Sequence, residues 1–176
     1  VAVCLFAELI GRAAEERAVE ASLFTWFKVG TWTFDVGLQI DQLSILFCLL
    51  ITGVGSLIHV YSIGYMAHDD RRRRFFAYLN LFIAAMLTLV LANNYLILFV
   101  GWEGVGLCSY LLIGFWYRET KNGLAAQKAF IVTRVGDFGF VLAILFIWWT
   151  FGTLDFGPIQ GAAHDAGHEE VAAGEA

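Results

Sequence analysis

Long apolar stretches separated by short polar ones dominate the chain. From Leu43 to Met66 there is no Asp, Glu, Lys or Arg, and the same holds from Phe75 to Leu91. Tyr95 to Trp116 carries one charge, Glu103, and Leu124 to Thr150 carries three, Lys128, Arg134 and Asp137. At about 1.5 Å of rise per residue, such stretches match the roughly 30 Å hydrocarbon core of a bilayer. The pattern predicts four membrane-spanning helices, over about 43–66, 75–92, 95–116 and 124–150. The second is barely long enough, and Ala92-Asn93-Asn94 predicts a tight membrane-surface turn into the third.

The flanks follow other rules. Trp32, Phe34, Val36, Leu38 and Ile40 alternate with Thr33, Asp35, Gly37 and Gln39, a strand period. Phe24 to Val29 is the expected partner strand, with Gly30 near the turn. Trp26 and Trp32 suit a membrane interface. The expected fold class is an all-α polytopic membrane protein, a transmembrane helix bundle with a small outer-face β-hairpin within residues 11–40. Residues 1–10 open on Val1-Ala2-Val3-Cys4-Leu5-Phe6, with no Met and no basic region, a poor signal peptide. They read as the end of an earlier spanning helix, so the chain is expected to be a portion of a longer polytopic protein. Residues 151–176 are expected to form an outer-face loop. His164 and His168 stand four apart there, and a solvated loop is a better reading of them than a metal site.

Composition agrees with the pattern. Of 176 residues, 59% are hydrophobic and 15% charged. An ordinary soluble domain has roughly 45–50% apolar and about 25% charged residues. A net charge of -5 with no basic face argues against nucleic acid as a partner. Cys4, Cys48 and Cys108 form no C-x-x-C pair and read as small packing residues. Charge asymmetry sets orientation. Arg71, Arg72, Arg73 and Arg74 follow the first span and Arg118 and Lys121 the third, so both loops lie on one side. The opposite side has Arg12, Arg17 and Lys28. The positive-inside rule puts the arginine loops on the cytoplasmic or matrix side. Arg71 to Arg74 serve adequately as a topogenic anchor, with anionic lipid as a further contact.

The charges within spans are the candidate chemistry, because each costs about 2.5–3.5 kcal/mol at mid-helix. Glu103 lies roughly 12 Å and Asp137 roughly 20 Å from the outer ends of their spans. A carboxylate there either takes up a proton readily or has a cation beside it. A bridging glutamine would be cheaper than Glu103, which favours a proton relay over a static helix bridge. Arg134 and Asp137 stand three apart on one face and pair either as a structural neutralisation or as part of a proton path. Lys128, on the face opposite Asp137, either snorkels to the interface or reaches inward as a proton entry group. His59 is either a packing residue, the favoured reading, or a relay member. Gly101, Gly104, Gly106 and Gly114 lack the strand context of a nucleotide loop and suit close helix packing against the Glu103 face. The sequence contains no Walker motif, haem-spaced histidine pair or cysteine cluster for iron and sulfur.

The run Gly101-Trp102-Glu103-Gly104-Val105-Gly106-Leu107-Cys108-Ser109-Tyr110-Leu111-Leu112-Ile113-Gly114-Phe115 resembles the antiporter-like membrane subunits of respiratory complex I, in the subunit 5 or subunit L family of NADH-quinone oxidoreductase. Ala129-Phe130-Ile131-Val132-Thr133-Arg134-Val135-Gly136-Asp137 is similar to that family's next helix. Asp41-Gln42-Leu43-Ser44, His59-Val60-Tyr61 and Arg74-Phe75-Phe76-Ala77-Tyr78-Leu79-Asn80-Leu81-Phe82 resemble its earlier ones. The resemblance covers roughly residues 24–155.

It implies a proton-translocating subunit of a bacterial plasma membrane or mitochondrial inner membrane, without a redox cofactor of its own. FMN, iron-sulfur clusters, NADH and quinone are then expected in other subunits. The implied partners are those membrane subunits, above all the neighbouring antiporter-like one, together with lipids. Glu103 falls on the family's key glutamate, which pairs with a lysine on a later helix, and Arg134 and Asp137 fall on family positions. The implied mechanism is electrostatic: Glu103 stays ionised while the lysine is near and takes a proton when it moves away. The alternative is the large subunit of a multi-subunit sodium/proton antiporter, which shares these motifs. A static scaffold, with every buried charge paired, is the third reading.

Overall fold

The computed structural model describes residues 2–11, 19–30 and 32–161. A short helix α1 (Ala2–Ile10) precedes an antiparallel hairpin, β1 (Val19–Val29) and β2 (Trp32–Ile40). Four long helices follow: α2 (Gln42–Tyr65), α3 (Arg72–Val90), α4 (Tyr95–Ile113) and α5 (Thr120–Phe151). All four are long and apolar enough to cross a membrane. Consecutive helices pack on one another, and most of their large apolar side chains face outward. That is the reverse of a water-soluble bundle and suits lipid or further helices. Arg12, Arg17, His164 and His168 lie outside the described residues.

Local chemistry explains where the helices begin and end. The Ser44 amide donates to Asp41 Oδ1 and the Asp41 amide to Ser44 Oγ, each at 2.7 Å. This capping box satisfies the orphan donors at the start of α2. Asn94 Oδ1 does the same for α4, accepting from the Ile97 amide at 2.9 Å. Gly152, at φ 69°, ends α5 in the left-handed conformation that glycine adopts without strain.

Several boundaries differ from the expectation, among them the end of α4, at Ile113 rather than 116. Helix α3 starts at Arg72 and α5 at Thr120, because Arg and Lys end an apolar stretch without ending a helix. Strand β1 begins at Val19, ahead of the expected Phe24. Residues 156–161, expected as loop, are helical. Phe156 is held there by its amide, which donates to Asn93 O at 3.2 Å, and by its ring against Tyr95.

The turn between α3 and α4 ties one end of the bundle together. Asn93 Oδ1 accepts from the Gly37 amide at 3.1 Å, Asn94 Nδ2 donates to Asp35 O at 2.9 Å, and Leu91 O accepts from the Gln39 amide. Trp32 packs on Trp148, ring centroids 5.0 Å apart, so the hairpin tip rests on the end of α5. The two basic loops meet at the other end. Trp116 Nε1 donates to Asp69 Oδ2 at 2.9 Å, and the Arg71 guanidinium lies over Tyr117. The Trp116 bond, followed by the Arg71 amide, holds the Asp69 carboxyl below its ordinary range.

Candidate functional site

Helix α4 is 19 residues long and Glu103 stands next to its midpoint. Helix α5 has 32 residues, with Arg134 and Asp137 straddling its midpoint. Rise alone therefore brings three charges to one level, and α4 packs on α5 with the right faces inward. Arg134 Nη1 pairs with Glu103 Oε2 across the helices and lies 3.3 Å from Asp137 Oδ2 on its own helix. One guanidinium serves two carboxylates.

Asp137 is the more enclosed acid, 7% exposed as a residue, while the Glu103 side chain retains 28%. Its Oδ1 accepts a hydrogen bond from the Trp102 indole Nε1 at 2.8 Å. Its Oδ2 is buried and lies within ion-pair range of Arg134 without forming a hydrogen bond. The Arg134 guanidinium also stacks on Phe130, 4.4 Å from the ring centroid, one turn back on α5. Its Nε is buried and has no hydrogen-bond partner among the described residues. The cluster carries a formal charge of one minus in the span.

The glycines divide their work between two faces. A methyl group on Gly101 would lie 2.6 Å from Leu89 N, and one on Gly104 would lie 2.9 Å from Ala85 Cβ. Both serve the approach of α3, not the face of Glu103. A methyl on Gly106 would lie 2.8 Å from Arg134 Nη2, so this residue makes room for the guanidinium. A groove of about 230 Å³ between α4 and α5 includes Ser109, Tyr110 and Thr133 and runs from the charged cluster toward the basic loops. A water's share of volume is about 30 Å³, so the groove has room for several.

Glu103, Arg134 and Asp137 are thus brought together, and two other candidates are not. Lys128 is exposed on α5 and has no hydrogen-bond or ion-pair partner among the described residues. His59 belongs to the α2–α3 contact, with Nδ1 2.7 Å from Gly55 O and Nε2 3.2 Å from Asn80 Oδ1. Among the described residues the cation beside Glu103 is Arg134; the lysine that the resemblance implies would come from a later helix. Trp102 escaped the sequence reading. Its one signal was a polar tip next to Glu103 in the middle of a span, away from the interface where tryptophan usually sits.

Known proteins carry the same arrangement of segments. Residues 26–76 match the family described as NADH-Ubiquinone oxidoreductase (complex I), chain 5 N-terminus. Residues 92–173 match the family described as NADH:quinone oxidoreductase/Mrp antiporter, TM. The chain is 57% identical over 159 residues to NADH-quinone oxidoreductase subunit L of Mycobacterium tuberculosis strain H37Rv, which is 90% of this chain and 25% of that protein. It is 51% identical over 141 residues to subunit L of Escherichia coli K12, 80% of this chain and 23% of that one. The chain therefore spans about a quarter of the length of these relatives. Among solved structures, the Mrp complex from Dietzia sp. matches with a TM-score of 0.71 at 26% identity, over 88% of this chain and 17% of that one. An archaeal membrane-bound sulfane sulfur reductase matches with a TM-score of 0.68 at 25% identity, over 97% of this chain and 26% of that one. A multi-pass helix bundle with mid-span charges and matching segments along most of its length, the chain belongs to the antiporter-like family of complex I chain 5, or subunit L, membrane proteins.

Proposed function

We propose that the chain forms part of a proton-translocating membrane subunit of an NADH-quinone oxidoreductase. The observation that carries the proposal is the single guanidinium held between two carboxylates at mid-span. Only one carboxylate is neutralised at a time, and the remaining charge is costly in a low-dielectric region. A proton is the smallest group that removes the cost. As Arg134 leans toward Asp137, Glu103 takes a proton; as it returns, Glu103 releases the proton. Trp102 holds one Asp137 oxygen throughout, so Oδ2 is the end that answers to Arg134. Motions driven elsewhere in the complex would set the position of Arg134, and a lysine supplied by a later helix would bias the same switch.

On this proposal the redox chemistry, with FMN, iron-sulfur clusters, NADH and quinone, belongs to other subunits, and the chain meets them through its membrane face. The arginine loops would face the cytoplasm or matrix. The alternative, a sodium/proton antiporter subunit, is favoured by the likeness to the Mrp complex. Identity supports the first reading better, at 57% to a subunit L against 26% to the Mrp structure.

Glu103→Gln in the full-length subunit, within its complex, is the test. Coupled proton pumping should fall at least about tenfold, equivalent to 1.4 kcal/mol, while the complex still assembles. Pumping at wild-type coupling would remove Glu103 from the path.

A further inference from the structure

His59 is held by two oxygens. Its Nδ1 lies 2.7 Å from Gly55 O, a backbone carbonyl that can only accept. Its Nε2 lies 3.2 Å from Asn80 Oδ1, and Asn80 Nδ2 donates to Phe76 O at 2.9 Å, another obligate acceptor. The chain from Gly55 O through the imidazole and the Asn80 amide to Phe76 O therefore begins and ends on an acceptor. A neutral imidazole brings one N–H, and the amide then leaves one link facing lone pair to lone pair. Turning the amide over moves the conflict to Phe76 O, and changing tautomer moves it to Gly55 O. Only an imidazole with hydrogen on both nitrogens satisfies every link.

The surroundings suit that state. An open groove of about 380 Å³ between α2 and α3 is lined by His59, Asn80, Thr52 and Ser56. Thr52 Oγ1 donates to Cys48 O and Ser56 Oγ to Thr52 O, both at 2.6 Å, so each hydroxyl offers the groove its lone pairs. Among the described residues, His59 is the one titratable group lining this groove. From α3, Phe76 places its ring 6.1 Å away, and Arg73, two turns before Asn80 on the same face, is about 10 Å off along the axis. From the other side, α1 packs near Ile45 and Cys48, whose level on α2 is more than about 16 Å from His59.

We propose that His59 is a proton-binding site, separate from the Arg134 cluster, in which protonation closes a hydrogen-bonded link between α2 and α3. A hydronium in the groove transfers its proton to the Nε2 lone pair and leaves as water. The new N–H donates to Asn80 Oδ1, and release to water reverses both steps and opens the link. His59 lies about 9 Å along α2 from its end at the basic loops, so the site faces traffic from that side.

The test is solid-state NMR of ring-¹⁵N histidine in the full-length subunit, in its complex and in lipid, with His59→Gln assigning the signal. Near pH 6 both ring nitrogens should carry hydrogen, with coupling to the Asn80 side chain; near pH 9 the ring should be neutral and the coupling lost. Asn80→Leu should leave the ring neutral at both pH values. Asn80→Asp, which keeps an acceptor toward Nε2, should retain the doubly protonated signal and covers a failure of the leucine variant to assemble. A neutral ring still coupled to Asn80 near pH 6 would overturn the proposal, as would double protonation surviving in Asn80→Leu. The ring spectrum reads His59 directly, so the outcome does not depend on whether Glu103 carries protons.

Discussion

Trp102 follows the same backbone turn as Glu103 yet serves the other acid. Its indole N–H fixes Asp137 Oδ1 at 2.8 Å, leaving Oδ2 as the oxygen that Arg134 engages or releases. A hydrogen bond to a charged group contributes roughly 1.5–3 kcal/mol, and Phe in this place keeps the ring and removes the donor. Trp102→Phe should therefore preserve assembly, lower coupled pumping several-fold and change the shape of its pH profile, which a purely structural loss would not do. In a double-mutant cycle with Asp137→Asn the two effects should overlap strongly; simple additivity would show that the indole and the carboxylate act separately. The three charges were legible in the sequence because an ionised side chain is conspicuous in an apolar stretch. Their sharing was not. Spacing pairs Arg134 with Asp137 on one helix, but the Glu103 contact depends on which faces of α4 and α5 meet. Trp102 was still harder to find, since its only polar atom acquires meaning from a partner 35 residues away.

At the scale of elements, close approach separates α3–α4 from the other contacts. A methyl on Gly101 would meet the Leu89 backbone, whereas one on Gly55 of α2 would lie 2.7 Å from Ile83 Cδ1, the movable end of a side chain. The same alanine substitution should thus have different results. Gly101→Ala must push two helix backbones apart and should cost about 1–3 kcal/mol, lowering the thermal midpoint of the purified complex in detergent. Gly55→Ala should cost roughly 0.5 kcal/mol or less, because Ile83 turns aside and alanine favours the helix. Equal losses in both would mean that the α3–α4 backbone contact is looser than its glycines indicate. Four spans and a hairpin could be read from hydropathy and alternation, because both record burial at fixed periods. The starts of α3 and α5 could not, since Arg72 and Thr120 break the apolar run while continuing the helical backbone.

At the scale of the whole molecule, the described structure is polarised end to end. The hairpin, the 91–94 turn and the segment after α5 knit together at one end, and six basic residues crowd the loops at the other. On the proposed orientation, argued from the positive-inside rule, that basic end faces the cytoplasm or matrix. Single cysteines can test this without altering the basic residues that set it. Asp70 and Glu119 are exposed in the two basic loops, and Thr25 is exposed on β1. Within this chain the native cysteines leave a low background once Cys4 is replaced by Ser, because Cys48 and Cys108 are buried at 5% and 0% exposure; the parent without the introduced cysteine sets the background of the full-length subunit. In right-side-out vesicles carrying the full-length subunit, a membrane-impermeant maleimide should label Thr25→Cys and spare Asp70→Cys and Glu119→Cys. Inverted vesicles should show the opposite pattern. Labelling of Asp70→Cys from the outside would place the arginines on the wrong face, and the groove between α4 and α5 would then draw its protons from the other compartment.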